Sequence, residues 1–311
     1  MPLTIDIVLS QRDDLGESPL WDSRDQCLYW IDSRRRLVQR LQPESGAYQS
    51  WNTPHDIGSI ALCESGRILV ALQNDLQFLD TSTGSFTSFI AIEHPAERMR
   101  LNDGRTDKAG RLCLGSLVLG RHEQHAMLYQ IEATGSVKEI DRGFCVSNTT
   151  CFSPDGRWLY FADSLARQIW RYAYEPRTGE VGPRENFIDT RLFDSGPDGA
   201  TVDAEGRLWV AMVLTGHVAC FSSEGALVQL IKVPVPYPTC PCFGGEDLST
   251  LYVTSIRDSG NLLKSDDPLS GALIALNGLD ARGLLDVLFA DGHSQNAAPV
   301  TMKEGIEDES I

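Results

Sequence analysis

The stretch SNTTCFSPDGRWLYFA, residues 147–162, contains the unit from which this chain is built: a short apolar strand, a polar turn and a second strand. Five further copies follow a spacing of about 40 to 50 residues. Their first strands begin near Ser18, Ser59, Asn102, Gly199 and Cys240, and the quoted copy begins near Thr149. This period, with about four short strands in each unit and almost no helical periodicity, is typical of a propeller blade. The sequence therefore predicts an all-β fold, a six-bladed β-propeller.

The two ends of the chain are expected to meet in one blade, because closing the ring removes exposed sheet edges. Ile5 to Leu9 is therefore predicted to pair as a strand with the final blade. Six blades would occupy residues 1–292 as a single propeller domain. The remaining residues, 293–311, end in a run of acidic side chains, which predicts a mobile tail.

The composition argues against nucleic-acid and membrane partners. With 27 Lys and Arg against 43 Asp and Glu, the net charge of −16 disfavours binding to phosphate backbones. The one basic run, Arg34-Arg35-Arg36, is short and is interpreted as a solvated hairpin end. Residues 1–9 lack the segments of a signal peptide, and no later run approaches the ~18 apolar residues of a membrane span. We expect a cytoplasmic protein, monomeric or weakly homo-oligomeric.

The eight cysteines are spread through strand-like sequence without a CxxC pair, which favours reduced thiols. Cys240 and Cys242 are the closest pair. At spacing i, i+2 their thiols would face the same side of one strand. They are interpreted as small buried apolar side chains rather than as a disulfide or a soft-metal site.

Four of the six units carry a polar residue at the same position, eight residues before the turn. These residues are Glu17, Asn102, Asn148 and Asp198. Equivalent positions of a repeat protein lie in one ring, so residues far apart in the chain can converge. The other two units carry Gly58 and Thr239 there, which predicts an asymmetric pocket at one mouth of the central channel.

Carboxylate and amide oxygens are hard ligands that suit Ca²⁺, Mg²⁺ or Mn²⁺, although carboxylates also accept Zn²⁺. The two carboxylates would repel each other in a confined channel, which favours a bound cation or protonation. The alternative for each position taken alone is a turn cap, since Asn and Asp commonly bond their own backbone at strand ends. The shared position in four units favours one divalent-cation site.

Several spaced motifs occur in a fixed order along the chain. They are Leu15-Gly16-Glu17-Ser18-Pro19-Leu20-Trp21, Arg100-Leu101-Asn102-Asp103-Gly104, Ser147-Asn148, Phe152-Ser153-Pro154-Asp155-Gly156 and Pro197-Asp198-Gly199. Together they resemble the SMP-30/gluconolactonase/regucalcin family, from about Leu15 to Gly292. The resemblance implies a six-bladed propeller that holds one divalent cation and opens sugar lactones.

The resemblance also implies a role for each motif residue. Glu17, Asn148 and Asp198 would bind the cation, and Arg100 and Asn102 would contact the substrate. The cation would polarise the lactone carbonyl, while Asp198 would take the proton of the attacking water as general base. That role requires one oxygen of the Asp198 carboxylate to stay free of the cation or to shift off it.

Two positions depart from the family pattern. Thr149 follows Asn148 where the family usually has Gly, which predicts a changed pocket shape. An acidic substrate contact of the family has no clear counterpart in the segment from Leu117 to Glu123. The second departure predicts a changed substrate specificity rather than a changed reaction.

Other catalytic motifs are absent from the sequence: there is no Gly-x-Ser-x-Gly elbow, His-Glu-x-x-His helix or Gly-rich phosphate loop. The leading hypothesis is divalent-metal-dependent hydrolysis of a sugar aldonolactone to the aldonic acid. Two alternatives stay open. One is a propeller aryl-esterase or phosphotriesterase, and the other is a noncatalytic calcium-binding propeller.

Overall fold

The computed structural model describes residues 2–120, 123–260 and 262–293, and within these ranges the chain forms six sheets of four antiparallel strands. Each sheet follows sequence order, except that β1 joins the last one. The first half of the strands comprises β1 (Thr4–Ile7), β2 (Gly16–Asp22), β3 (Cys27–Asp32), β4 (Leu37–Gln42), β5 (Ala47–Asn52), β6 (Ile57–Leu62), β7 (Ile68–Leu72), β8 (Asp75–Asp80), β9 (Ser85–Ala91), β10 (Met99–Thr106), β11 (Leu112–Val118) and β12 (Ala126–Ile131). The second half comprises β13 (Val137–Phe144), β14 (Ser147–Phe152), β15 (Trp158–Asp163), β16 (Gln168–Tyr174), β17 (Val181–Asp189), β18 (Pro197–Val202), β19 (Leu208–Met212), β20 (His217–Phe221), β21 (Leu227–Lys232), β22 (Pro238–Gly244), β23 (Thr250–Ser255) and β24 (Ile274–Asn277). The described ranges also contain two short 3-10 helices, Thr190–Phe193 and Asp291–His293.

The sheets are arranged as blades around a central channel. The first strand of each blade contacts the first strand of the blades on both sides, which closes a ring of β2, β6, β10, β14, β18 and β22, here called the inner strands. In the described part of the chain, six clusters of buried apolar side chains each lie between two neighbouring blades. The prediction of a six-bladed β-propeller is confirmed.

The ring is closed by a strand from the N-terminus, as predicted. β1 pairs with β24 in the register Thr4 to Asn277 through Ile7 to Ile274, so it is the outer strand of the last blade. The strand begins and ends slightly earlier than predicted, although the Val8 N–H still donates to the Leu273 carbonyl at 2.9 Å. The N-terminal strand thus completes the sheet of the last blade to four strands.

Deleting residues 1–10 is expected to lower the melting temperature by about 10 °C, because it removes the ladder hydrogen bonds of β1 and re-exposes an edge. Differential scanning calorimetry measures the change. Deletion of residues 1–3, which precede the strand, is the matched control and should melt within about 2 °C of the intact chain. Equal melting of the two truncated proteins would show that β1 does not close the ring.

A C-terminal strap, residues 281–291, crosses the end of the channel opposite to the starts of the inner strands. One of its carbonyls accepts from the Ala204 N–H at 2.8 Å, and one of its N–H groups donates to the Leu62 carbonyl at 2.7 Å. Between these points, Arg105 of the channel wall donates to the Asp286 carboxylate at 2.7 Å. The strap therefore covers this end, and a substrate would enter the channel from the other mouth.

All eight cysteines are free and buried, which confirms that Cys240 and Cys242 do not form a disulfide. In the residues that the structure describes, no helix has the length and apolar character needed to cross a bilayer. The predicted tail lies outside the described residues, apart from residue 293.

Candidate active site

Every inner strand carries a β-bulge at the position of the predicted ring. The pairing of β2 with β3 shifts between Glu17 and Leu20, and that of β14 with β15 shifts between Asn148 and Cys151. The other four shifts lie between Leu101 and Gly104, Pro197 and Ala200, Ile57 and Ser59, and Pro238 and Pro241. A bulge bends its strand and re-aims the side chains beside it. The ring residues thus share an irregularity of the backbone as well as a place in the repeat.

The predicted acidic residues are brought together at this mouth. Burial, followed by the negative charges of Asp198 and Asp103, raises the pKa of Glu17 well above its ordinary value. Burial and the charge of Asp103 likewise raise the pKa of Asp198. Arg100 opposes the rise at both residues. Three carboxylates thus share a desolvated site with one arginine, and a divalent cation would neutralise the excess negative charge.

The two asparagines are bonded to each other. Asn102 Nδ2 donates to Asn148 Oδ1 at 3.1 Å and to the Ser147 carbonyl at 2.8 Å. Asn148 Nδ2 donates to Ser164 Oγ at 2.8 Å, and that hydroxyl donates to the Pro197 carbonyl at 2.7 Å. Since the Asn148 amide nitrogen is held by Ser164, its oxygen points to the side of Asn102 and keeps a second lone pair for a cation.

Arg100 is only 9% exposed, although it lies at the mouth. Its Nη1 donates to the Leu101 carbonyl at 2.9 Å. Burial lowers the pKa of Arg100 below its ordinary value, and the charges of Glu17, Asp56 and Asp198 offset only part of this effect. Among the described residues it forms no ion pair with a carboxylate, so its remaining N–H groups are available to a ligand.

Thr149, the departure from the family pattern, has a left-handed backbone with φ of 61°. A β-branched residue is unfavourable in this conformation, whereas glycine adopts it without steric cost. Its hydroxyl donates to the Asp198 carbonyl at 2.5 Å and so joins β14 to β18. Ser18, which follows Glu17, has a similar φ of 51°. Thr149 therefore takes the left-handed conformation within the bulge and makes a hydrogen bond to the Asp198 backbone that glycine could not make.

Asp103 is a member of the site that the sequence interpretation missed. Its Oδ2 accepts from the Thr150 N–H at 2.7 Å, and burial raises its pKa. Successive residues of a regular strand face opposite sides, so Asn102 and Asp103 would be separated. The bulge between Leu101 and Gly104 breaks this alternation and allows Asp103 to act on the same site as Asn102. In the sequence, the feature that points to Asp103 is its place directly after Asn102 in the segment Arg100 to Gly104.

In the described ranges no group of three or more histidine, cysteine, aspartate or glutamate side chains is arranged to hold a metal ion. The predicted ligand set differs from such a group, because it consists of two carboxylates and one amide oxygen. Its donor chemistry fits a hard divalent cation, since the carboxylates are deprived of water and repel each other.

Comparison with known proteins identifies the family. Residues 15–257 match the family described as SMP-30/Gluconolactonase/LRE-like region. The chain belongs to this family. The predicted family resemblance is thereby confirmed over residues 15–257 of the predicted range from Leu15 to Gly292.

Individual relatives cover nearly the whole chain. The 6-deoxy-6-sulfogluconolactonase of Pseudomonas putida is 35% identical over 92% of this chain and 99% of its own length. The L-arabinolactonase of Azospirillum brasilense is 32% identical over 86% of this chain and 90% of its own. The structure of regucalcin from Agrobacterium tumefaciens, described as a calcium-binding protein, has a TM-score of 0.85 at 29% identity, covering 91% of this chain and 96% of that one. The propeller and its order of blades are thus shared with these family members.

Proposed function

We propose that this family member is a divalent-metal-dependent lactonase that hydrolyses a sugar aldonolactone to the aldonic acid. The observation that carries the proposal is the desolvated group of Glu17, Asp198 and Asn148 at the open mouth of the channel. The two relatives named above as sugar lactonases support the same reaction class. The buried Arg100 beside the carboxylates favours an enzyme over a purely ion-binding protein.

One divalent cation would be held by Glu17, Asn148 and Asp198. The description of the regucalcin neighbour as a calcium-binding protein supports a hard cation such as Ca²⁺, Mg²⁺ or Mn²⁺, and carboxylates would also accept Zn²⁺. When bound, the cation supplies Lewis-acid stabilisation of the negative charge that develops on the lactone carbonyl oxygen. Asp103 adds a further negative charge beside the ligands and so strengthens the attraction for a cation.

Asp198 would act as the general base. It accepts a proton from water as the water attacks the lactone carbonyl carbon, and it returns the proton to the ring oxygen when the ring C–O bond breaks. This role requires one carboxylate oxygen of Asp198 to stay free of the cation or to shift off it, because binding a cation lowers the basicity of a carboxylate. The Thr149 hydroxyl fixes the Asp198 backbone and so helps to orient the carboxylate.

Asn102 and Arg100 would bind the sugar. The Asn102 amide nitrogen is engaged by Ser147 and Asn148, which leaves its oxygen to accept from a sugar hydroxyl. The free N–H groups of Arg100 can donate to hydroxyl oxygens of the sugar. Both residues lie at the mouth, so the lactone ring would lie above the inner strands with its carbonyl towards the carboxylates.

Acid release from a panel of aldonolactones tests the proposal, with aryl esters and phosphotriesters as competing substrates. Chelated protein should be inactive on lactones, and activity should return on addition of one divalent cation. Turnover that survives chelation would refute the metal requirement. Preferential hydrolysis of a phosphotriester would support the esterase alternative, and cation binding without any turnover would support the noncatalytic one.

Replacing Thr149 separates the hydroxyl contact from the backbone conformation. Thr149→Ser keeps the hydroxyl and should retain cation affinity within about twofold, whereas Thr149→Gly relieves the backbone but loses the contact and should weaken that affinity by about fivefold to tenfold. Isothermal titration calorimetry measures the affinities. Equal affinities in the two variants would mean that the contact with the Asp198 carbonyl does not position the ligand.

A further inference from the structure

We propose that a cavity beside Arg100 is a subsite for a sulfonate or phosphate group carried by the lactone at the end away from its carbonyl. This inference rests on the proposed function, because it takes the carbonyl to lie at Glu17 and Asp198. The cavity has a volume of about 300 Å³. Its walls include Leu15, Ser33, Arg34, Arg98, Arg100 and Leu119.

The cavity adjoins the candidate active site. Leu15 lies two residues before Glu17, and Arg100 lies two residues before Asn102. Asp56 and Arg98 directly precede β6 and β10. The other walls come from segments that follow β3, β11 and β23, which end at the mouth where the inner strands begin. A substrate held by Arg100 and Asn102 could therefore extend into the cavity without leaving the mouth.

Two arginines of the cavity have no carboxylate partner. Among the described residues, neither Arg34 nor Arg98 lies within 4.0 Å of a carboxylate oxygen. The pKa of Asp258 is lowered mainly by Lys264 and also by Arg34, yet its ion pair, at 2.9 Å, is with Lys264. Arg34 does lie at a hairpin end, as the sequence predicted, but on the side that faces the cavity.

The two arginines that follow Arg34 in the sequence each form an ion pair with an aspartate, whereas among the described residues Arg34 does not. Arg35 pairs with Asp14 at 3.3 Å, and Arg36 pairs with Asp56 at 2.8 Å. Asp56 also lines the cavity, so its charge is already partly satisfied by Arg36. The positive charge of Arg34 is therefore the one of this basic run that remains for a ligand.

Two glycines make room for the guanidinium groups. A Cβ at Gly260 would lie 2.3 Å from Arg34 Cζ, and a Cβ at Gly120 would lie 3.3 Å from Arg98 Nη2. The segment from Leu117 to Glu123, where the family resemblance predicted an acidic substrate contact, contributes Leu119 and Gly120 to this wall. The described residues of this segment that line the cavity, Leu119 and Gly120, therefore add no negative charge to that of Asp56.

Three guanidinium groups around one cavity suit a tetrahedral oxyanion. Each group presents N–H donors in a fixed fork that matches the oxygens of sulfonate or phosphate, and Arg100 is withdrawn from water. Neutral sugar hydroxyls would not use the charge of Arg34 and Arg98. The subsite therefore selects an anionic lactone.

The test compares a neutral six-carbon aldonolactone with the same lactone carrying a sulfonate, a phosphate or a carboxylate at C6. The intact protein should show a kcat/KM at least tenfold higher for the sulfonate or phosphate, through a lower KM, and a smaller gain for the carboxylate. Arg34→Gln and Arg98→Gln should each reduce this preference about tenfold, or about 1.4 kcal/mol. Raising the salt concentration to about 0.5 M should also reduce it, because charge attraction is screened.

Arg282→Gln is the matched control, because Arg282 lies on the strap at the opposite mouth with a side chain that is 70% exposed. It should leave the preference unchanged. Gly260→Ala supplies a second test, since it displaces the Arg34 guanidinium without changing any charge and should lower the preference in the same way.

Normal hydrolysis of the neutral lactone without any preference for the anionic ones would overturn the subsite and leave the lactonase intact. Failure to hydrolyse any lactone would overturn the proposed function. In that case calorimetric binding of the C6-sulfonated aldonate still decides the subsite. Binding that is lost in Arg34→Gln and Arg98→Gln supports it, and binding that is unchanged in both variants refutes it.

Discussion

Asp198→Asn is expected to lower kcat for lactone hydrolysis by about a thousandfold, at a cation concentration that saturates the variant. The amide retains an oxygen that can ligate the cation but cannot accept the proton of the attacking water. A positioned general base contributes about 10² to 10⁴ in rate, so its removal should dominate the kinetics. The measurement is acid release at saturating lactone, with cation occupancy checked by calorimetry.

The matched control for this change is Asp155→Asn. It makes the same replacement in the turn after β14, where Asp155 Oδ1 accepts from Ser153 Oγ at 2.6 Å, away from the candidate site. We expect its kcat to stay within about twofold of the intact enzyme, since a turn contact of this kind affects stability rather than the reaction. A kcat within tenfold of normal for Asp198→Asn would show that another group accepts the proton.

Addition of the cation to chelated protein is expected to raise the free energy of unfolding by about 2.7 kcal/mol at a concentration of 100 times Kd. The rise follows from binding to the folded state alone, where the like charges of Glu17, Asp198 and Asp103 attract the cation. Glu17→Gln should lose most of this rise and lose more than about a hundredfold in lactonase activity, because it removes one ligand and one of the opposed charges. Thermal melts with and without cation give the measurement.

The cation effect should also depend on pH with a definite sign. In the chelated protein the pKa values of Glu17 and Asp198 are raised, so their contribution to stability is fully present below about pH 4 and is lost as the pH rises through the folded pKa. The cation binds the ionised form, so the gap between loaded and chelated melting temperatures should widen from pH 5 to pH 8. A gap of equal size in Glu17→Gln and the intact chain would place the cation elsewhere.

The repeat predicted the blades and their order, but the predicted first residues of the inner strands lie slightly too far along the chain. They were expected to begin near residues such as Ser18, Thr149 and Cys240, and β2, β14 and β22 begin two residues earlier. The reason is the bulge, because regular strand periodicity resumes only after it. The residues that start the pattern in the sequence are thus the bulged ones.

The same bulges explain which members of the site were predictable. Glu17, Asn148 and Asp198 share one position in the repeat, and a repeat brings such positions to one ring. Asp103 lies one position further on, where a regular strand would have turned it away. The charge of Asp103 acts on Glu17 because of the bulge between Leu101 and Gly104, and the pattern of residue types does not indicate that bulge.

The sequence by itself determined the six-bladed ring and its closure by the N-terminal strand, and it indicated which residues share one position of the repeat, because strand periodicity and repeat register are properties of the residue order. The tertiary structure decided which charges share one desolvated site, that the strap covers the far end of the channel, and that Arg34 and Arg98 meet Arg100 at one cavity. These features depend on distances between residues of different blades. Burial and charge coupling act through space, and a pattern read along the chain does not contain those distances.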